Sequence, residues 1–113
     1  MSSDKSSEKK VGPGRALIGD YAPKLVELND EVLFGDVWER PELSKRDRSL
    51  MTISALVALY RIEQLPAHIQ RGLDNGLSQN EIIEAITHLA FYAGWPCAWS
   101  AIQIAKKIFE KTA

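Results

Sequence analysis

The chain of 113 residues is predicted to fold as an all-α protein. Three observations predict it. Apolar residues recur at three- and four-residue intervals along several segments, as one face of a helix requires. Glycine, proline and asparagine fall between those segments, where helices stop. No stretch alternates apolar and polar residues for long enough to make a strand.

The first ten residues, MSSDKSSEKK, offer almost nothing to bury, so residues 1–14 are expected to form a flexible polar tail that ends in the break Gly12-Pro13-Gly14. Residues 15–113 then form a single domain, the number that a chain of this length ordinarily supports. Pro23 suits a first helical position, and Leu25, Leu28 and Val32 follow at helical spacing, which predicts a helix to about Phe34. The segment GDVWERP (35–41) is expected to be an irregular connection pinned by a buried Trp38.

Ser44 with Asp47 reads as a capping box with the shorter acid, and the run Leu50 to Tyr60, apolar on nearly every side, is expected to be the central helix. Leu65, Ile69 and Leu73 mark the stripe of the next helix, which Asn75-Gly76 ends. Ser78 with Glu81 is a second capping box, opening a helix that buries Ile82, Ile83, Ile86, Leu89, Ala90 and Ala93. Gly94-Trp95-Pro96 is expected to end it. A last helix carries Ala98, Ala101, Ile102, Ala105, Ile108 and Phe109, with small residues that permit close helix contact.

A net charge of −1 gives no electrostatic reason to bind nucleic acid or an anionic membrane. The longest mainly apolar stretch, Ile53 to Leu59, is far short of the roughly 20 residues that span a bilayer. With no secretory signal pattern at the N-terminus and Cys97 as the sole cysteine, the expected location is cytoplasmic.

The stretch from about Tyr21 to Lys111 carries Trp38-x-x-Pro41, Arg48-Ser49-Leu50, His68, Asn75-Gly76, Glu81-Ile82 and Tyr92-Ala93-Gly94 in order. It resembles the carboxymuconolactone decarboxylase family. The resemblance implies a compact, multi-helix alkylhydroperoxidase-like domain, assembled as homotrimers or homohexamers, that decarboxylates a small carboxylated lactone in aromatic catabolism with no metal or organic cofactor. The peroxidase branch of the same superfamily keeps a Cys-x-x-Cys pair shortly before a His. Arg61 and Gln64 hold those places here, so thiol chemistry of that kind lacks both its nucleophile and its resolving sulfur.

Loss of carboxylate conjugated through C=C to a ring carbonyl leaves a dienolate, and no cofactor is needed as electron sink. The protein must hold the retained carboxylate, stabilise the oxyanion and return a proton to carbon. His68, at the edge of the Leu65–Ile69–Leu73 stripe, is the candidate proton donor; a histidine bridging helices by a hydrogen bond is the structural alternative. Glu63 is a candidate to orient it or to bind substrate, although an acid at a helix start is also expected from the helix dipole. Arg48 and Arg61 flank the central helix and could offer a planar fork to a carboxylate, while Arg46 and Arg71 read as surface charges. Glu84, His88 and Tyr92 share one helix face, as a proton relay, a substrate contact or a hydrogen-bond stripe between subunits. They fall short of a zinc site, which would need a third ligand. Trp38 is the remaining candidate substrate contact. Cys97 reads as a small buried hydrophobe, and Trp95 and Trp99 as packing or subunit-contact residues, one of which could wall a pocket. An antioxidant redox protein and a non-catalytic oligomer binding a small acid are the competing functions.

Overall fold

Pro13, whose missing N–H leaves no orphan donor in a first turn, opens the first helix of the computed structural model, which describes residues 11–112. Residues 1–10, where most of the expected tail falls, lie outside the described residues. The chain divides between Glu42 and Leu43 into two compact units.

In the first unit α1 (Pro13–Ile18) and α2 (Pro23–Glu27) lead into a π-helical turn (Leu28–Leu33) and a short 3-10 turn (Val37–Glu39). The expected break at Gly12-Pro13-Gly14 is therefore a helix start. Asp30 stabilises it from a distance in sequence: its carboxylate accepts from the backbone N–H groups of Gly14 and Arg15 at 2.7 and 3.0 Å. The helix expected from Pro23 continues through the π-helical turn to Leu33. Trp38 is buried as expected and stacks on Phe34 with ring centroids 5.6 Å apart.

The second unit holds α3 (Lys45–Ala58), α4 (Leu65–Asp74), α5 (Gln79–Ala93) and α6 (Trp95–Thr112). Ser44 caps α3 by accepting from the Asp47 N–H, and Ser78 with Glu81 forms the complete reciprocal box at the start of α5. Both caps were legible in the sequence. The core gathers Ile53 and Val57 from α3, Leu65 and Ile69 from α4, Leu77, Ile82 and Ile86 from α5 and its approach, and Ala98, Ala101, Ala105 and Phe109 from α6. The alanine row on α6 lets that helix lie against α5, and α6 also packs on α3 and α4.

Two expectations about α5 and α6 are corrected. Ile83 is 38% exposed, because it sits one position past buried Ile82, about 100° further around the helix. Trp95 and Pro96 belong to the first turn of α6 rather than to the end of α5; Gly94 alone separates the two helices.

The ends of α3 and α4 share one geometry. Leu77 N–H donates to Gly72 and Gly76 N–H to Leu73; likewise Arg61 N–H donates to Leu56 and Tyr60 N–H to Val57. This is the Schellman pattern, which needs one left-handed residue. Gly76 supplies it at φ 108° for α4, and Tyr60 supplies it at φ 58° for α3. A side chain in that region costs about 1–2 kcal/mol, so the segment leaving α3 is held under backbone strain. Among the described residues no helix is long and apolar enough to cross a membrane.

Candidate functional site

His68 lies on α4 between two residues with no exposed surface, Leu65 and Ile69. That position makes it half-buried, as the edge of an apolar stripe should be, and its Nδ1 is shielded from solvent. Burial pushes the imidazole below its ordinary range, and the Arg71 guanidinium adds to the effect by opposing a second positive charge. Arg71, which reads in the sequence as a surface charge, therefore acts electrostatically on the candidate proton donor.

Arg48 stands in the first turn of α3, half-buried, with Nε donating to the Leu43 carbonyl at 3.2 Å. That bond tethers the stem of the guanidinium at the N-terminal end of α3. The helices carrying Arg48 and His68 pack directly on each other. Their close approach centres on Gly72, where an added Cβ would meet Ile53 Cδ1 at 2.9 Å and Ser49 Cβ at 3.7 Å. A side chain there would require Ile53 to shift. Ser49 itself is completely buried and its Oγ accepts from Asn75 Nδ2 at 2.9 Å.

Arg61 and Glu63 are exposed in the connection between α3 and α4. Glu63 was expected in the first turn of a helix; α4 starts two residues later, at Leu65, so it precedes the helix instead. His88 and Tyr92 do share a face of α5, stacked with centroids 4.8 Å apart, and Tyr92 is largely exposed. His88 and Glu84 line a cleft of about 480 Å³ between α3 and α5, together with Arg46, Ser54, Leu50 and Glu81. Arg46, expected as a surface charge, pairs across this cleft with Glu81. The Ser78 backbone N–H, followed by the Arg46 guanidinium, holds the Glu81 carboxyl below the usual carboxylate range. Spacing could have found the cap; only packing could have found the ion pair.

The candidates thus fall into groups: Arg48 and His68 on packed helices, Arg61 and Glu63 on the connection between them, and His88 with Tyr92 on α5. Trp38 belongs to the first unit, where its ring packs on Phe34. Cys97 is half-buried on α6 against the core. Among the described residues no three His, Cys, Asp or Glu side chains stand together as ligands for a metal ion.

Comparison with known families gives a match to the carboxymuconolactone decarboxylase family over residues 23–107. The chain belongs to that family. Within the relatives of this family member, a 4-carboxymuconolactone decarboxylase of Acinetobacter baylyi is 33% identical over 103 residues, covering 91% of this chain and 77% of its own length. A nitrosuccinic acid decarboxylase of Metarhizium robertsii is 35% identical over 81 residues, or 72% of this chain and 57% of that protein. An uncharacterised 15.0 kDa protein of Paracoccus denitrificans is 28% identical over 83 residues, 72% of this chain and 62% of its own length. The resemblance read from Trp38-x-x-Pro41 through Tyr92-Ala93-Gly94 is borne out by the family match, and the all-helical fold agrees with it.

Proposed function

We propose that this protein is a decarboxylase of its family, acting without a cofactor on a small carboxylated lactone of the 4-carboxymuconolactone kind. The observation that carries the reading is the half-buried His68, on a helix packed against the one that bears Arg48, in a chain similar to two decarboxylases.

The names of those two relatives point to one chemistry. In the lactone the carbon–carbon bond to the departing carboxylate breaks, its electron pair passes through the C=C bond to the ring carbonyl, and carbon dioxide leaves. In nitrosuccinate the same pair passes onto the nitro group. Both intermediates are carbanions stabilised on oxygen, both keep a second carboxylate, and both become product when a proton is returned to carbon. Arg48 would hold the retained carboxylate, with Arg61 as a second cation. His68 would deliver the proton to carbon, and Glu63 would orient it. A depressed imidazole suits the role only when substrate is bound, because the carboxylates of the substrate bring opposite charge to His68 and favour its protonated form.

The same reading includes a homotrimer or homohexamer in the cytoplasm. Phe91, Trp95 and Trp99 support assembly: each is more than half exposed, and the two indoles stack on each other on α6 with centroids 5.7 Å apart.

The test is carbon dioxide release from 4-carboxymuconolactone and, in parallel, from nitrosuccinate. His68→Gln is expected to lower turnover by roughly 10² to 10⁴, the range for a positioned acid, with circular dichroism unchanged. Arg48→Gln is expected to raise KM as well as to lower turnover, since a carboxylate-binding cation acts on bound substrate and transition state alike. A wild type inert on both substrates would overturn the reading, and a folded His68→Gln with full activity would move the acid elsewhere, to Glu63 or His88.

A further inference from the structure

The core of the second unit contains one feature that packing alone does not require. Among the described residues its one buried polar side chain is Ser49, with no exposed surface, and its hydroxyl accepts from Asn75 Nδ2, 26 residues away in sequence, at 2.9 Å. An alanine would fill this place in an apolar helix with no polar group to satisfy. Ser49 instead follows Arg48 directly on α3. Asn75 is the residue that ends α4, and a neighbouring bond, Leu77 N–H to the Gly72 carbonyl, fixes the backbone there. The side chain of Asn75 is therefore held between a rigid helix end and a buried acceptor.

The bond sits at the closest approach of the two helices. Gly72, one turn before its end of α4, faces Ile53 Cδ1 and Ser49 Cβ. His68 lies a further turn back on α4. A helix advances about 1.5 Å per residue, so Asn75 is about 10 Å along the axis from His68, within one stiff rod. Whatever fixes the slide and rotation of α4 at Asn75 fixes the imidazole as well. On the other helix Arg48 has its own tether, Nε to the Leu43 carbonyl at 3.2 Å, so its position does not depend on Asn75.

We infer that Ser49 and Asn75 are positioning residues: their buried hydrogen bond locks α4 in register on α3 and so sets where His68 stands relative to Arg48. The inference rests on the decarboxylase reading for its catalytic consequence, but the lock itself is a property of the fold. Displacing a catalytic group by about 1 Å can cost on the order of a hundredfold in rate. Apolar contacts around Gly72 resist separation of the helices, but they are non-directional and resist sliding poorly. A single hydrogen bond of ordinary length supplies that direction.

The experiment compares wild type with Ser49→Ala, Asn75→Ala, the double variant and Asn75→Asp. Asn75 has φ −91° and ψ 5°, outside the left-handed region and open to alanine and aspartate as it is to asparagine, so these variants test the side chain rather than the turn. In Asn75→Asp the link survives with its direction reversed, the Ser49 hydroxyl donating to the new carboxylate. Two readouts are taken on folded protein: kcat and KM on 4-carboxymuconolactone, and the NMR titration of the His68 ring. Either alanine variant is expected to lose about tenfold or more in kcat with KM changed less than about threefold, because Arg48 stays in place. The double variant should be no worse than the singles, Asn75→Asp should recover most of the loss, and the His68 midpoint should rise towards that of a solvated imidazole in the alanine variants. Variants that melt earlier but keep both kcat per folded molecule and the His68 midpoint would overturn the inference, and so would alanine variants whose effects simply add. A wild type that leaves the lactone untouched counts against the decarboxylase reading alone. The titration needs no substrate and still decides the lock: a moved midpoint supports it, an unmoved one overturns it.

Discussion

Replacing Gly72 by alanine sets two opposed effects against each other, and the structure says which one wins. In an unobstructed helix interior the change is worth about 0.8–1.0 kcal/mol in favour of folding. At Gly72 the new Cβ would stand 2.9 Å from Ile53 Cδ1 and 3.0 Å from Leu77 Cδ1. Carbon atoms are content at about 3.5–4.0 Å, so the ends of both side chains must retreat by roughly half an ångström, and both residues are buried in the core. Overpacking of that size costs about 1–3 kcal/mol. The net expectation is a loss of about 1 kcal/mol, or a fall in Tm of about 4–8 °C for a unit of this size. The decisive arm is the combination with Ile53→Val, which removes the very methyl group that the new Cβ strikes. In the native background Ile53→Val costs about 0.5–1.5 kcal/mol. In the Gly72→Ala background it should cost less than about 0.5 kcal/mol or restore stability outright, giving a coupling of about 1 kcal/mol in a double-mutant cycle read by urea denaturation. Gly72→Ala that raises Tm, or a cycle that is additive, would refute the close approach of α3 and α4 on which the placement of His68 depends.

Three further outcomes follow from single features. Ser78→Ala removes the acceptor for the Glu81 N–H in the reciprocal cap of α5 and should cost about 1 kcal/mol; an unchanged urea midpoint would show that the cap is idle. His68 has a folded-state pKa below that of the unfolded chain, so it contributes stability that is fully present above the unfolded value near 6.5 and is lost as pH falls through the folded value. Urea midpoints of wild type should therefore drop more between pH 7.5 and pH 5 than those of His68→Gln, and parallel profiles would contradict the burial of the ring. Cys97 is half-buried on α6, while Arg61 and Gln64 fill the places of the peroxidase pair. Cys97→Ser should leave decarboxylation nearly intact, and a loss beyond about a hundredfold, some 2.7 kcal/mol, would bring the thiol into the site.

How much of this could be read beforehand depends on the range of the interaction. Ser44, Ser78 and Asn75-Gly76 mark helix ends by chemistry confined to a few residues, and all three marks hold. The end of α3 had no such mark, because a tyrosine occupies the left-handed position where glycine is expected. Tyr60 takes it because Arg61 and Tyr60 close the same pair of bonds that Gly76 and Leu77 close on α4, so the strain is offset by hydrogen bonds that the sequence does not announce. Trp95-Pro96 misled for the opposite reason. Proline is both a helix stopper and a good first-turn residue, and which role it plays depends on the chain that follows.

The candidate site divides along the same line. His68 could be placed at the edge of a core from its register with Leu65 and Ile69, since helical phase is a local property. Glu63 could not, because a shift of two residues in the start of α4 carries it out of the helix and into the connection. The charges were harder still. Arg46 and Arg71 look alike in the sequence, two basic residues on helices, yet one closes an ion pair with Glu81 and the other adds to the burial that lowers the His68 pKa. The ion pair exists only once α5 is brought alongside α3, whereas Arg71 stands three residues past His68 on the same helix, a neighbour by spacing alone. Ser49 is the extreme case: a small hydroxyl between Arg48 and Leu50 reads as neutral filler, and its partner stands at the far end of the next helix. A residue of that kind gains meaning only from the register of two packed helices, and the register is also what a reaction geometry needs. Residues that supply a reactive group can thus be nominated from local pattern, whereas those that aim it are found where the core tolerates a polar atom that burial alone would have removed.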